Sequence, residues 1–304
     1  MAKQRTGRNV HGILLLNKPV GISSNAALQR VKRLFQARKA GHTGSLDNLA
    51  SGLLPICLGE ATKLSGFLLN ADKHYQAEFT LGVTTTTGDA SGSVKQTRPL
   101  IGITNGKINA VMESFLGPIQ QIPPMYSAIK QQGQALYKLA HQGKVVERPA
   151  RSITIYAMSV QQWVENRLSV KVHCSKGTYI RTLAEDFGEA LGCGAYVSAL
   201  HRTGVGDYCN MLTFEMLTKQ PDFENLDSLL LPMHTALSNW TDVLLTEELA
   251  YYVQQGQAIQ LPQAPTSGLV KLFVGNKARL GSFIGIGYVL DDGRIAPRRL
   301  INAN

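Results

Sequence analysis

The chain is expected to be an α+β protein, with a mixed, largely antiparallel sheet flanked by helices and a small C-terminal β-barrel. Three observations predict this. Strand and helix patterns follow one another without the regular strand–helix alternation of a doubly wound fold. Tyr75, Ala77, Phe79 and Leu81, and again Leu168, Val170 and Val172, alternate with polar neighbours, as strands with one buried face do. Past about residue 240 the texture changes to short apolar segments punctuated by Gly281, Gly285, Gly287 and Gly293, the pattern of a small barrel. A length of 304 residues suits one large domain, 1–240, followed by a smaller one, 241–304.

The first element is a buried strand, Gly12 to Lys18, stopped by Pro19 and Gly21. Ser24 is expected to cap a helix whose apolar face is Leu28, Val31, Leu34 and Phe35 and whose other face carries Arg30, Lys32, Arg33 and Arg38. A glycine-rich loop around Asp47 leads into the apolar run Leu53 to Leu58 and a short helix between Ala61 and Leu69. The strand from Tyr75 follows, then a polar loop, Thr84 to Gly92. Ile108, Val111, Met112 and Phe115 mark one face of a helix closed by Gly117. From Ile122 to Arg151 the pattern turns irregular and lysine-rich, an excursion with a short helix near Tyr137. Two strands, Ile153 to Val164 and Leu168 to Cys174, precede a helix through Ile180, Leu183, Ala184, Phe187 and Leu191 that stops at Gly192. Thr218 to Asp242 reads as a connector with some helix. The closing segments are Leu269 to Val274, Phe283 to Val289 and Arg294 to Pro297.

Lysine and arginine number 31 against 21 acidic residues, a formal charge of +10. Such an excess draws a polyanion, because each neutralised phosphate releases a condensed counterion. A membrane surface would attract it too, but no basic amphipathic helix with a bulky apolar face is present, so nucleic acid is the better partner. The N-terminus, Met1 to Arg8, is basic without the apolar segment of a secretory signal, and no run has the length of a membrane span; a cytoplasmic location is expected. Cys57, Cys174, Cys193 and Cys209 have no paired spacing, which argues against a zinc site or a disulfide framework.

The most informative stretch is Gly41-His42-Thr43-Gly44-Ser45-Leu46-Asp47-Asn48-Leu49-Ala50-Ser51-Gly52, one carboxylate framed by small residues. Two readings stand side by side: a glycine-rich turn with a capping aspartate, or a nucleophile or general base facing something bulky. Three other clusters accompany it. Lys18-Pro19-Val20-Gly21 ends the first strand, Lys73-His74-Tyr75 opens another, and Cys174-Ser175-Lys176-Gly177-Thr178-Tyr179-Ile180-Arg181 turns from strand to helix at a glycine.

Together these clusters resemble the pseudouridine synthases, and within them the TruB family, bacterial enzymes that make pseudouridine 55 in the T loop of transfer RNA. The resemblance runs from about Gly12 to about Arg202. It resumes in Gly285-Ile286-Gly287 and in Asp292-Gly293-Arg294-Ile295-Ala296-Pro297-Arg298-Arg299, which are similar to the RNA-binding PUA barrel. The resemblance implies that Asp47 is the catalytic aspartate, that Tyr75 packs against the target base, and that Arg181 ion-pairs with Asp47. It places Tyr179 and Leu200 in the base pocket, His42 inside the T loop beside the turned-out base, and Lys18 behind the active site. Lys176 and Arg202 complete the expected substrate-binding set.

Two departures from the family pattern stand out. Asn48 follows Asp47 where the family usually has proline, which would stiffen the loop. His201-Arg202 replaces the commoner pair of arginines, at the expected loss of one phosphate contact.

The implied reaction breaks the N1–C1′ bond of uridine, turns the uracil, and joins C5 to C1′. It is redox-neutral and needs neither cofactor nor metal, in keeping with the lack of a dinucleotide, phosphate-loop or metal signature. The expected partner is the T arm of transfer RNA, bound by a monomer without an obligatory protein partner. The excursion from Ile122 to Arg151, with Lys130, Lys138, Lys144, Arg148 and Arg151, is read as an RNA clamp, or else as a plain surface loop. The rival functions are a transfer RNA folding factor with little isomerase activity and a subunit of a guide-RNA complex.

Overall fold

In the computed structural model, which describes residues 7–131, 133–276 and 279–302, the apolar run Gly12–Lys18 forms strand β1. It shows no alternation because both of its faces are buried. Leu14 and Leu16 join the main core, while Ile13 and Leu15 enter a second cluster on the reverse side. Its outer edge is covered by the connector. Ile13 and Leu231 exchange backbone hydrogen bonds of 3.0 and 2.9 Å, and Leu212 bonds to Leu15 and Asn17 at 2.8 Å. An edge that would invite foreign pairing is thereby closed. The basic residues 1–6 lie outside the described residues.

The main sheet continues with β2 (Ala40–His42), β3 (Ser51–Leu58), β4 (Lys73–Leu81), β5 (Gly117–Gln121), β6 (Arg151–Val164), β7 (Arg167–Cys174) and β8 (Ala195–Val205). Across it the order is β1-β3-β8-β4-β7-β6-β5, with β2 also on β3. Its pairings are antiparallel except that of β8 with β3, which joins only His201 to Ser51 and Arg202 to Gly52. The mixed, largely antiparallel sheet read from the sequence is the one that forms. Helices α1 (Ser24–Leu34), α2 (Asn105–Ser114) and α3 (Ile180–Leu191) bury Ala27, Leu28, Val31, Ile108, Leu183 and Phe187 in the main core.

The sheet divides at β3. The edge away from β1 carries β2 at Ile56–Leu58 and β8 at Ser51–Gly52, and the 43–50 loop joins β2 to β3 across the gap between them. Gly52 is the tightest point of this junction. Its φ is 103°, and a Cβ there would stand 2.3 Å from the Arg202 carbonyl oxygen. Glycine alone lets the two strands meet here.

Two local readings are corrected. Ser23, not Ser24, caps α1, its hydroxyl accepting from the Ala26 N–H at 3.1 Å. The polar stretch Thr84 to Gly92 begins within a strand, Val83–Thr85, paired with Val94–Thr97. The C-terminal unit begins with a strand at Thr241. It contains β9 (Thr241–Leu245), α4 (Glu247–Gln254), β10 (Leu269–Asn276), β11 (Arg279–Val289) and β12 (Ile295–Leu300), in sheet order β9-β10-β11-β12 with β9 parallel to β10. Among the described residues this ladder is an open path rather than a closed ring. Val243, Leu245, Val253, Leu272, Ile284 and Ile295 give it a core of its own. It docks on the larger unit through Lys63 Nζ, which donates to the Leu300 carbonyl at 2.9 Å, and through the Asn302 N–H on the Glu60 carboxylate at 3.0 Å. No described helix is long and apolar enough to cross a membrane.

Gly52→Ala is expected to destabilise the protein by more than about 1 kcal/mol, since both the positive φ and the Arg202 backbone oppose a methyl group. Chemical denaturation of the two proteins checks this; an unchanged midpoint would remove Gly52 from the account of the junction.

Candidate active site

The 43–50 loop is held from below. Leu46 and Ala50 are buried in the main core, while Ser45, Asp47 and Asn48 are exposed. Ser24, the residue expected to cap α1, instead fastens this loop. Its buried hydroxyl accepts from the Leu46 N–H at 2.7 Å and donates to the Leu46 carbonyl at 3.0 Å. The Thr43 N–H donates to the Pro55 carbonyl at 3.1 Å. Beyond the carboxylate, the Ala50 N–H closes a turn on the Asp47 carbonyl at 3.1 Å, and the Gly21 N–H donates to the Asn48 carbonyl at 2.8 Å. The stiffness that a proline after Asp47 would supply comes here from backbone hydrogen bonds to the turn that follows β1.

Arg181 reaches this loop from the first turn of α3. Its Nε lies 2.9 Å from Asp47 Oδ2, and the Arg181 side chain is 6% exposed against 45% for Asp47. Both of its amino nitrogens have partners too. Nη2 donates to the Tyr126 carbonyl at 2.7 Å, Nη1 donates to the Thr87 carbonyl at 3.2 Å, and Asp89 Oδ2 lies 3.7 Å from Nη1. Asp89 is itself buried, accepting from the Thr87 hydroxyl at 2.7 Å and the Ser91 N–H at 2.9 Å. A planar guanidinium held through both amino nitrogens can point its Nε–H in one direction only. That direction is Asp47.

Asp47 opens to solvent on one side and faces protein on the others. This loss of hydration raises its pKa above the ordinary aspartate value; Arg181 pulls it down, Asp89 pushes it up, and Lys18 pulls it down. Tyr75, on β4, is partly buried against the main core. Enclosure raises the pKa of its phenol, against the opposing charge and hydrogen bond of Arg202, so it remains protonated at neutral pH. His42, on β2, is half-buried. Burial first and Arg202 second lower its pKa, and its enclosed Nδ1 has no hydrogen-bond partner among the described residues. Leu200, on β8, is buried opposite Ala77 of β4. Tyr179 immediately precedes α3, and burial raises its phenol pKa. Lys176 lies exposed in the same turn, its Nζ donating to Asn70 Oδ1 at 2.9 Å.

Two expected substrate contacts are corrected. Arg202 is 1% exposed, and its Nε donates to the Leu53 carbonyl at 2.7 Å and its Nη2 to the Gly44 carbonyl at 3.0 Å. With Tyr75 as a further partner, it has no surface to offer a phosphate and instead locks β8 to β3 and the Asp47 loop. Lys18 is 0% exposed, its Nζ donating to the Pro19 and Ile22 carbonyls at 2.8 Å. Burial pushes its pKa down to about 8, against the attraction of Asp47. It supports the turn beneath the carboxylate. Sequence reasoning also missed Asp89, Ser24 and Gln121. Asp89 stands in a polar threonine-rich run with no pattern linking it to Arg181.

The exposed side of the site is open rather than enclosed. Arg30, Arg33, Arg38 and Lys39, around α1, and Lys130, Lys138 and Lys144, in the excursion, are all exposed. A cavity of about 480 Å³, lined by Phe67, His74, His173, Tyr208 and Trp240 among others, lies away from Asp47; the side chain of His74 alternates with that of Tyr75 along β4. No group of residues suited to a metal ion occurs among the described residues. One carboxylate, an aligned guanidinium and an aromatic face, set on a broad cationic surface, suit chemistry on one unit of a large anionic substrate.

Residues 32–180 match the TruB family pseudouridylate synthase N-terminal domain, residues 181–238 the tRNA pseudouridylate synthase B C-terminal domain, and residues 241–301 the Pseudouridine synthase II TruB C-terminal domain. The chain is 57% identical over 307 aligned residues to tRNA pseudouridine synthase B of Nitrosococcus oceani, covering 99% of this chain and 98% of that protein. It is 49% identical to the protein of the same name from Serratia proteamaculans, covering 98% and 97% respectively. Among solved structures it is similar in fold to a chain of an H/ACA RNP bound to a substrate RNA containing 2'-deoxyuridine, with a TM-score of 0.72, 21% identity, and coverage of 99% of this chain and 91% of that one.

Two outcomes are expected from this geometry. Arg202→Met should lower stability by roughly 3–5 kcal/mol, because it leaves the Leu53 and Gly44 carbonyls buried without their charged partner. Asp47→Asn should melt at the wild-type temperature or above it, since a carboxylate whose pKa is raised in the fold opposes folding at any pH where it is ionised. Thermal denaturation near neutral pH measures both, and a clear loss of stability in Asp47→Asn would contradict the second.

Proposed function

The chain belongs to the TruB family of pseudouridylate synthases, and from that premise we propose that it converts uridine 55 in the T loop of transfer RNA to pseudouridine. The observation that carries this reading is the Asp47–Arg181 pair at 2.9 Å on an exposed loop of a strongly basic protein. The protein acts as a monomer in the cytoplasm, on the T arm of transfer RNA and without an obligatory protein partner.

Uridine and pseudouridine are isomers, so every atom is retained. The N1–C1′ bond breaks, the freed uracil rotates, C5 bonds to C1′, the C5 proton is lost and N1 gains a proton. The target must first leave the base stack, at a cost of a few kcal/mol. His42, half-buried at the end of β2 where the Asp47 loop begins, is the side chain that enters the opened T loop, and the cations of α1 and of the excursion offset the cost through phosphate contacts. Tyr75, held by Arg202, gives the uracil a flat face, with Tyr179 and Leu200 shaping the rest of the pocket.

Asp47 then acts either covalently on the sugar or base, or as a base at the ribose 2′ carbon. Both routes need it ionised. Arg181 favours that form and fixes the direction in which the carboxylate points. No electron is transferred, so the step needs no redox cofactor.

Tritium release from transfer RNA labelled at uracil C5 tests the reading. Wild type should release the label from position 55, and Asp47→Ala should not. Equal release from the two proteins would leave only RNA binding, as a folding factor would show. Activity of the purified chain on a bare T-arm stem-loop, with sedimentation as a monomer, tests independence from guide RNA and protein partners. Arg181→Met should reduce turnover by roughly a hundredfold while leaving RNA affinity near wild type. The pH–rate profile adds a signed test. Turnover should fall as Asp47 is protonated, at a pH above the ordinary aspartate range, and in Arg181→Met this fall should begin at a higher pH still.

A further inference from the structure

Gln121 is the last residue of β5 and stands at the root of the 122–151 excursion. It is 2% exposed, too enclosed to serve a partner in solvent. The amide is instead given over to one residue. Gln121 Oε1 accepts from the Tyr179 N–H at 2.8 Å, and Gln121 Nε2 donates to the Tyr179 carbonyl at 3.1 Å. A side-chain amide thus pairs with a single backbone unit as a neighbouring strand would. The Tyr179 N–H precedes α3 and has no partner within that helix; Gln121 supplies the one it needs. The same carbonyl also accepts the first hydrogen bond of α3, from the Leu183 N–H at 3.0 Å.

The direction in which α3 starts is therefore set from β5. Two residues further on, Arg181 leaves that first turn to meet Asp47. Five residues past Gln121, the Tyr126 carbonyl accepts from Arg181 Nη2 at 2.7 Å. One short stretch of chain holds both the backbone of the pocket tyrosine and the guanidinium of the catalytic pair.

We propose that Gln121 is a positioning residue of the isomerisation: its buried amide fixes the backbone of Tyr179 and so aims Arg181 at Asp47. This rests on the function proposed above and adds a residue that touches neither RNA nor the reacting atoms. A misplacement of the catalytic pair by a fraction of an ångström lowers turnover without removing any RNA contact.

The test uses the full chain with two variants, Gln121→Met, which keeps the volume and loses both hydrogen bonds, and Gln121→Glu. Hydrogen exchange of the 175–182 segment, measured without RNA, should quicken at the Tyr179 amide in Gln121→Met, and this readout stands whether or not the protein isomerises uridine. With transfer RNA, Gln121→Met should lose roughly tenfold to a hundredfold in kcat and keep near-wild-type RNA affinity.

Gln121→Glu carries a signature that a merely structural role would not produce. An ionised glutamate accepts from the Tyr179 N–H but cannot donate to its carbonyl, whereas the protonated acid does both. The ratio of its kcat to that of wild type should rise as pH falls, and the Gln121→Met ratio should not. If Gln121→Met fails to fold, Gln121→Glu and its pH ratio decide the matter alone. Unchanged exchange at Tyr179, wild-type turnover, or a loss of turnover matched by an equal loss of binding would each overturn the proposal. If wild type itself releases no tritium, the functional reading fails separately, and the exchange result still reports on the clamp.

Discussion

The Arg181 guanidinium is the contact on which the site depends. It is buried, as charged groups rarely are unless satisfied, and the Thr87 and Tyr126 carbonyls and Asp89 satisfy it. These partners come from the 86–93 turn and from the root of the excursion, two segments far apart in the chain. Each removes one direction in which the guanidinium might turn. The Nε–H is left for Asp47, the one exposed member of the cluster. The Asp47 carboxylate is oriented by an arginine that is itself oriented by the fold.

The loop that carries Asp47 is constrained in a similar way from the opposite side. β3 has two partners on one edge, β2 and β8, and the loop occupies the break between them. Arg202 crosses that break beneath the loop, tying the Leu53 carbonyl to the Gly44 carbonyl, and Ser24 fastens Leu46 from α1. Lys18 holds the turn whose Gly21 N–H bonds the Asn48 carbonyl. The buried cations Lys18 and Arg202 thus belong to the scaffold. Among the described residues, cations on α1 and in the excursion remain exposed to RNA.

The legible part of this protein was the part whose signal is local. Alternation in Tyr75–Leu81 exposed a half-buried strand, and the 3.6-residue spacing of Ile180 to Leu191 exposed a helix with its glycine stop, because side-chain period reports on burial over one element. The Asp47, Tyr75 and Arg181 clusters were readable together, in order along the chain. The strand Val83–Thr85 was too short to establish a period, and the choice between Ser23 and Ser24 as cap depended on one backbone turn. Asp89 and Gln121 left no local signal, since each acts on a residue far from it in sequence.

By itself the sequence determined the fold class, the elements with long regular periods and the family, and it singled out the aspartate, tyrosine and arginine of the candidate site. The tertiary structure decided which charges face solvent and which are consumed inside. Lys18 and Arg202 look like any other cations in a basic chain; burial at 0% and 1% makes them struts. The same holds for Asn48, whose carbonyl finds Gly21 only once β1 and β3 are paired. The physical reason is that desolvation and hydrogen-bond partnership are properties of position in space. Residue type sets what a side chain can do, and packing sets what remains for it to do.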